Sequence, residues 1–399
     1  MNSIRFEELY AESSRNGIYK TKEFHGSGNK IINMGELFAY DFISNQKMKR
    51  LELSKSEKNK YSLEDRDLVF GRRSVVAAGA GKCSLIVNPN ELIVFESSII
   101  RVRLNKKIAN PKFYFYYFKS PQGRGTILSI ATGVNIMGIR SSELQKLIIP
   151  FPEILIQNKV ASTLSAYDNL IENNTRRIQI LEEMAQRIYK DWFVDFKYPS
   201  HENDQMVDSE LGMIPDGWEV VEVANLLKRL KAGNKYTKMN VSEKGLIPVI
   251  DQSEKEILGY HDNDPDHLAT NYKPIIIFGD HTCKMQLLVE PFSIGPNVIP
   301  FISKIDYPIY FLYYLVNSLV ETQEYKRHWN DLIDKIVIIP KTALSDNFSG
   351  IVNPLFQQIS GLKKLNQNLG QTRDLLLPKL ISGNIDISDL DIDTSILND

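Results

Sequence analysis

The chain has 399 residues, 43% of them hydrophobic, with 48 Lys/Arg against 49 Asp/Glu and two cysteines, Cys83 and Cys283, one in each half. This length supports two or three domains with proper cores, and two cysteines exclude a disulfide framework. No apolar run approaches the ~20 residues that span a bilayer, and the polar start Met1-Asn2-Ser3-Ile4-Arg5 lacks a signal-peptide core, so a cytoplasmic protein with no membrane partner is expected.

The balanced total conceals an asymmetry. Residues 1–150 hold 24 Lys/Arg against 14 Asp/Glu, which leaves 24 against 35 in residues 151–399. An excess of this size suits a region that meets a polyanion. Residues 219–340, with 13 against 16, carry no such excess and would need a local patch for the same task.

In chain order, residues 1–152 form a first mixed domain. Its β-like runs are Asp67-Leu68-Val69-Phe70, Ser84-Leu85-Ile86-Val87, Ile99-Ile100-Arg101-Val102-Arg103 and Leu147-Ile148-Ile149, and the aromatic stretch Pro111 to Phe118 suits a helix. Residues 153–197 read as a long helix of roughly 60 Å at 1.5 Å per residue. Its apolar seam is Val160, Leu164, Tyr167, Ile171, Asn174, Ile178, Leu181, Ala185, Ile188 and Trp192, stepping by four and three as a heptad does. Asn174 is the lone polar member, a type of residue that commonly fixes register and partner.

Residues 198–217, with Pro199, Gly212 and Pro215, read as a linker. Residues 218–341 then repeat the first domain's order, with strands near Pro248-Val249-Ile250, Ile275 to Phe278 and Val298 to Phe301, and an aromatic stretch Tyr310 to Leu315. A second long helix occupies residues 342–382. Shifting the first seam by 191 gives Ile351, Leu355, Gln358, Leu362, Leu365, Leu369, Thr372 and Leu376, an internal duplication in one phase. Asn353-Pro354 suggests this helix's start and Pro378 its end or kink. The Asp- and Ser-rich tail, 383–399, is expected to fray. The fold class is therefore α+β: two similar mixed α/β domains separated by two long helices. These most simply pair as an antiparallel coiled coil, the alternatives being seams that cover their own domains or another subunit.

Catalytic motifs fail on inspection. Gly79-Ala80-Gly81-Lys82-Cys83 lacks the phosphate loop's first glycine, since Val76 stands there, and Cys83 replaces its Ser/Thr. No Asn-Pro-Pro-aromatic or Asp-Pro-Pro-aromatic tetrapeptide occurs. Asp191, Asp195 and Lys197 at a helix end read as solvated charges, and the spacing of His261, His267, His281 and His328 matches no metal signature.

Binding chemistry remains. In the first domain Arg66, Arg72, Arg73, Lys82, Arg101, Arg103, Lys106, Lys107 and Arg140 are interleaved with strands and with Thr132-Gly133. Arginine forks fit phosphates and guanine edges, and glycine turns admit close backbone approach. In the second domain Gln252, Ser253, Tyr260, His261, His281, Lys284, Asn297 and the run Tyr325-Lys326-Arg327-His328-Trp329-Asn330 offer the same mixture.

Three stretches carry a resemblance: Lys146 to Pro152 running into Gln157; Leu181-Glu182-Glu183-Met184 through Asp191-Trp192-Phe193-Val194-Asp195-Phe196; and Leu211-Gly212 through Ile214-Pro215-Asp216-Gly217-Trp218-Glu219. With Pro248 to Ser253, His281-Thr282-Cys283 and Glu324 to His328, they make the chain resemble a specificity subunit of a type I restriction-modification system along nearly its whole length. It departs from the pattern at Phe348, where the first copy has Gln157, and at Asp280, where Asn would precede His281. The resemblance implies a non-catalytic subunit with two target-recognition domains reading a bipartite, asymmetric site in double-stranded DNA. It also implies two methyltransferase subunits that methylate adenine N6, and motor-nuclease subunits. The chain itself would hold no metal or cofactor, S-adenosylmethionine and ATP belonging to the partners. A coiled-coil scaffold whose globular ends bind proteins is the alternative reading.

Overall fold

The computed structural model describes residues 2–75, 79–133, 136–304, 306–322 and 326–394. It divides into two compact units: residues up to Glu172 together with those from Asn366 on, and Asn173–Leu365.

In chain order the first unit carries β1 (Ser3–Arg5), β2 (Tyr10–Asn16), β3 (His25–Ile32), α1 (Met34–Ala39), β4 (Phe42–Ile43), β5 (Lys49–Leu51), α2 (Lys55–Tyr61), β6 (Leu68–Gly71), β7 (Arg73–Ser74), β8 (Cys83–Ile86), β9 (Ile93–Phe95), β10 (Ile99–Leu104), α3 (Pro111–Lys119), α4 (Pro121–Leu128), β11 (Met137–Gly138), α5 (Ser141–Leu144) and β12 (Ile148–Pro150). The first long helix, α6 (Ile154–Tyr189), begins in this unit and ends in the other, where a π turn over Lys190–Val194 closes it. The second unit then has β13 (Met206–Ser209), β14 (Gly212–Pro215), β15 (Glu219–Glu222), α7 (Val223–Leu226), β16 (Leu227–Arg229), β17 (Ile247–Ile250), β18 (Ile257–His261), β19 (Ile275–Gly279), β20 (Met285–Leu288), β21 (Ser293–Ile294), β22 (Val298–Ser303), α8 (Ile309–Val316), α9 (Trp329–Ile333), β23 (Ile336–Ile339) and the start of α10 (Thr342–Ser382).

The duplication read from the helix seams extends to the sheets. The first unit's main sheet runs β2-β10-β6-β8-β4 and the second's β16-β22-β19-β20; each has a three-stranded companion, β5-β3-β9 or β18-β17-β21, and a closing pair, β1-β12 or β15-β23. The strands expected at 67–70, 84–87, 99–103, 147–149, 248–250, 275–278 and 298–301 all form. The aromatic stretches become α3 and α8. Asn110 caps α3 by accepting from the amides of Lys112 and Phe113, with Pro111 in the first turn. Every residue from Phe113 to Phe118 is buried, because one face of α3 meets Phe6, Phe42 and Phe70 of the domain and another meets α6 through Tyr116, Ser165 and Asp168.

Within each unit the two long helices pack antiparallel. In the first, Arg373 pairs with Asp168, and the Asn366 amide donates to the Ile171 carbonyl at 3.4 Å. In the second, Lys363 lies 3.5 Å from Glu182 while Tyr189 and Trp192 pack their rings on Phe348. The α6 seam holds to the residue: from Leu170 to Tyr189 the covered positions are Ile171, Asn174, Ile178, Leu181, Ala185, Ile188 and Tyr189.

The α10 seam differs from the expected one. Leu355, Leu362, Leu369 and Leu376 are covered as expected, but Ile351, Gln358, Leu365 and Thr372 are exposed, and their neighbours Val352, Ile359, Asn366 and Arg373 face inward. Two of those four are polar, and each has a partner on α6, so an apolar-only reading steps to the wrong neighbour. The helix also starts at Thr342 and passes through both Pro354 and Pro378. An interior proline costs about 3 kcal/mol. Here the carbonyls deprived of their bonds belong to exposed Gly350 and Asp374, where water serves them, and buried neighbours offset the loss: Phe348 and Val352 around one, Leu377, Leu380 and Ile381 around the other.

Two segments expected to lack structure have it. The presumed linker 198–217 folds β13 and β14 into a hairpin, with Tyr198, Ile214 and Trp218 in the second unit's core. The tail lies docked on the first unit over the described residues to 394. Ile385, Ile387 and Ile392 pack on the first unit's core, Lys159 donates to the carbonyls of Ser388 and Leu390, and the Ser162 hydroxyl donates to the Asp393 carbonyl. Among the described residues no helix is long and apolar enough to cross a membrane.

Candidate nucleic-acid interface

The basic residues singled out in the first unit fall into two groups. Arg72, Arg73, Thr132, Gly133 and Arg140 converge. β6 ends at Gly71, the chain turns into β7, and Gly138 of β11 pairs with Arg73 and, through two main-chain bonds of 2.8 and 2.9 Å, with Thr132. Arg73, Thr132, Gly133 and Arg140 are exposed and Arg72 is half-buried. Gly133 has φ +125°, and a Cβ there would meet the Ile136 carbonyl at 2.0 Å, so only glycine closes this turn. Lys82, half-buried at the end of the same loop, donates to the Phe38 carbonyl at 2.6 Å, and burial lowers its pKa.

The second group is engaged within the fold, and burial takes Arg101 off the surface, correcting its assignment to DNA contact. Arg101 is 2% exposed and holds Glu12 at 3.0 Å. Arg103 joins Glu12, Glu64 and Asp67 at 2.6–2.7 Å. Arg66, in the left-handed region at φ 71°, pairs with Asp65 at 3.3 Å, and Lys106 donates to the Asp65 carbonyl. Arg66 and Arg103 face carboxylates and exposed Lys106 a main-chain carbonyl, while buried Arg101 meets Glu12 through one nitrogen and leaves Nε and Nη2 without a hydrogen bond, none of which counting residues by type could show. Lys107 is exposed and lines a cleft with the start of α6 and the docked tail.

In the second unit Gln252, His281, Lys284, Asn297 and Lys326 to Asn330 converge around Asp280. The Gln252 side-chain oxygen accepts from the His281 amide at 3.0 Å, and its carbonyl accepts from the Thr282 hydroxyl at 3.0 Å. The His281 ring meets the Lys326 carbonyl at 2.9 Å. Lys284 pairs with Glu256, and Lys326 with Asp331. Trp329 packs on Phe278 and Phe301, with the Arg229 guanidinium over its ring at 5.9 Å. Ser253, Lys326, Arg327 and Asn330 are exposed. Tyr325 lies outside the described residues.

Two histidines are corrected. His328, 1% exposed, turns its ring to Asp331 at 2.9 Å, and hydrogen bonds from His328 and Lys326 hold the Asp331 carboxyl below its ordinary pKa. His261, 7% exposed, stacks on Tyr236 at 4.2 Å, and its neighbour Tyr260 is half-buried within β18, paired to Ser242.

Both clusters hang on one main-chain junction. After the glycine that ends the central strand, Arg72 donates its amide to the Ser98 carbonyl at 2.7 Å, just before β10, and its carbonyl accepts from the Ile139 amide at 3.0 Å, just before α5. In the second unit Asp280 follows Gly279, donates to the Asn297 carbonyl at 2.8 Å just before β22, and accepts from the His328 amide at 2.8 Å just before α9. His328 thus stands where Ile139 does, an interior position in both units, and His281 stands where Arg73 does. Asp280 is the residue that sequence reasoning missed; its one signal was the departure from Asn before His281.

The comparisons bear on this geometry. Residues 8–183 match the family model "Type I restriction modification DNA specificity domain". The chain is 26% identical over 361 residues to the type I restriction enzyme MjaIX specificity subunit of Methanocaldococcus jannaschii, covering 80% of this chain and 83% of that one. Along most of its length the chain is thus similar to type I restriction-modification specificity subunits. The EcoKI specificity subunit of Escherichia coli K12 is 26% identical over 174 residues, 42% of this chain and 37% of its own. The solved S subunit of the type I system from M. genitalium has the same fold, with a TM-score of 0.59 at 18% identity over 95% of both chains.

Proposed function

We propose that this chain is a non-catalytic specificity subunit for DNA, that each of its units reads one half of a bipartite, asymmetric sequence in double-stranded DNA through the loops at its junction, and that the paired helices set the spacer between the halves. The observation that carries the reading is the recurrence of one main-chain junction in both units, flanked by exposed Arg73, Thr132 and Arg140 in the first and by exposed Thr282, Lys326, Arg327 and Asn330 in the second. Phosphate contacts from such cations supply affinity without sequence preference, and a few side chains reaching base edges in the major groove supply discrimination. On this reading the chain assembles with two methyltransferase subunits acting on adenine N6 and with motor-nuclease subunits, and S-adenosylmethionine and ATP bind those partners. A clamp on both sides of the target suits a partner that must flip the base out of the stack.

Arg73→Ala is expected to weaken binding of the methyltransferase complex to its site by about 5- to 150-fold, the ~1–3 kcal/mol of a lost base contact. Fluorescence anisotropy on duplexes with either half scrambled checks this: the loss should vanish when the first half is already scrambled. Equal weakening on every duplex would instead make Arg73 a phosphate contact, and salt-independent binding would favour a protein-binding scaffold. Removing one heptad from each long helix shortens the pair by about 10 Å, or about three base pairs. Methylation mapping should then return the same two half-sites with a shorter spacer; an unchanged spacer overturns the role given to the helices.

A further inference from the structure

We propose that Asp280 is a positioning residue for sequence reading by the second unit: its carboxylate ties the loop after β19 to the segment that presents Arg327, Trp329 and Asn330. This rests on the reading proposed above and names the residue that shapes one of its two sites.

Asp280 is 6% exposed. One carboxylate oxygen accepts from the amides of His328 at 3.1 Å and Trp329 at 2.9 Å, and the other lies 3.8 Å from the Arg327 guanidinium. With its main-chain bonds to Asn297 and His328, it makes three ties to the start of α9 and one to β22. At the same place in the first unit the Arg72 side chain turns the other way and donates to the Ser97 carbonyl at 3.2 Å. There the loop and the start of α5 share main-chain bonds, whereas in the second unit a side chain adds to them.

A carboxylate directed at DNA would be repelled by the phosphates. This one points inward at two amides, a use of aspartate that resembles helix capping, and removing it leaves both donors without their acceptor. Its influence on recognition therefore passes through the segment it holds. The turn is built for close approach: a Cβ on Gly279 would lie 2.4 Å from the Thr282 hydroxyl and 2.7 Å from the Gln252 side chain. Gln252 grips the far side of that turn through the His281 amide, so freeing Asp280 loosens the 326–330 side of the cluster while the 252–284 side stays held.

The test uses the chain assembled with its methyltransferase subunits and maps methylated sites for the wild type, Asp280→Ala and Asp280→Asn. Asp280→Ala should keep the first half-site intact and accept several bases at one or more positions of the second, with at least a tenfold loss of discrimination there. Asp280→Asn, which keeps an oxygen for both amides, should restore the wild-type sequence. An unchanged sequence for Asp280→Ala, or a uniform fall in methylation with both halves still strict, overturns the proposal. Should the alanine chain fail to fold, Asp280→Glu carries the test, since one added methylene displaces the acceptor: a relaxed second half supports the assignment and a strict one overturns it. A wild-type complex with no bipartite sequence at all would overturn the functional reading itself, a different result.

Discussion

Asp168→Ala is expected to destabilise the first unit by about 3–5 kcal/mol, the cost of removing one partner from a largely buried ion pair. The Asp168 and Arg373 side chains are only 10% and 16% exposed. Asp168 also accepts from the Tyr116 hydroxyl at 2.5 Å; burial, reinforced by the Asp168 charge, drives the Tyr116 pKa up, so the hydroxyl stays a donor. The substitution takes the buried carboxylate from a guanidinium that keeps only the exposed Asp374, at 2.8 Å, and leaves the Tyr116 hydroxyl with Ser165 at 3.4 Å, where α3, α6 and α10 meet. Urea denaturation should show the loss, and Asp168→Ala combined with Arg373→Met should recover much of it, because an apolar pair of similar volume leaves no buried charge. A single variant within 1 kcal/mol of wild type would show that water already reaches the pair.

A chain ending at Ser382 is expected to lose about 3 kcal/mol. Burying one isoleucine fully contributes about 1.5–3 kcal/mol; Ile387 is buried, Ile385 and Ile392 partly so, and the bonds from Lys159 and Ser162 go with them. The first unit's melting temperature should fall by about 6–12 °C, with Val160, Leu380 and Ile381 uncovered to a hydrophobic dye. An unchanged melting temperature would mean that the tail frays in solution as its composition suggests.

That tail shows where reading the sequence falls short. Three isoleucines scattered among Asp and Ser form no periodic run, and their burial depends on a surface supplied by residues far away in the chain. The α6 seam was legible because its covered positions are nearly all apolar and step regularly. The α10 seam was half legible, since Asn366 and Arg373 are covered for reasons of pairing. Strand positions and the duplication were legible from β-branched runs and the repeated aromatic stretch. The recognition clusters were found as neighbourhoods, but residue type alone could not separate Arg73, which faces solvent, from Arg101, which faces Glu12. The shared junction was hidden because its three positions are separated by different distances in the two copies: 208 residues from Arg72 to Asp280, 199 from Ser98 to Asn297 and 189 from Ile139 to His328. Insertions between elements erase a constant offset while the main-chain bonds survive.

Those bonds have an evolutionary corollary. Amides and carbonyls are common to nearly all amino acids, so a frame fastened through them is indifferent to which side chains project from it. On the reading proposed above, exchanges at positions such as 73, 140, 281 or 330 would change the DNA letters a unit prefers while folding proceeds as before. New targets would then lie within reach of single mutations, with no need to rebuild the scaffold that carries them.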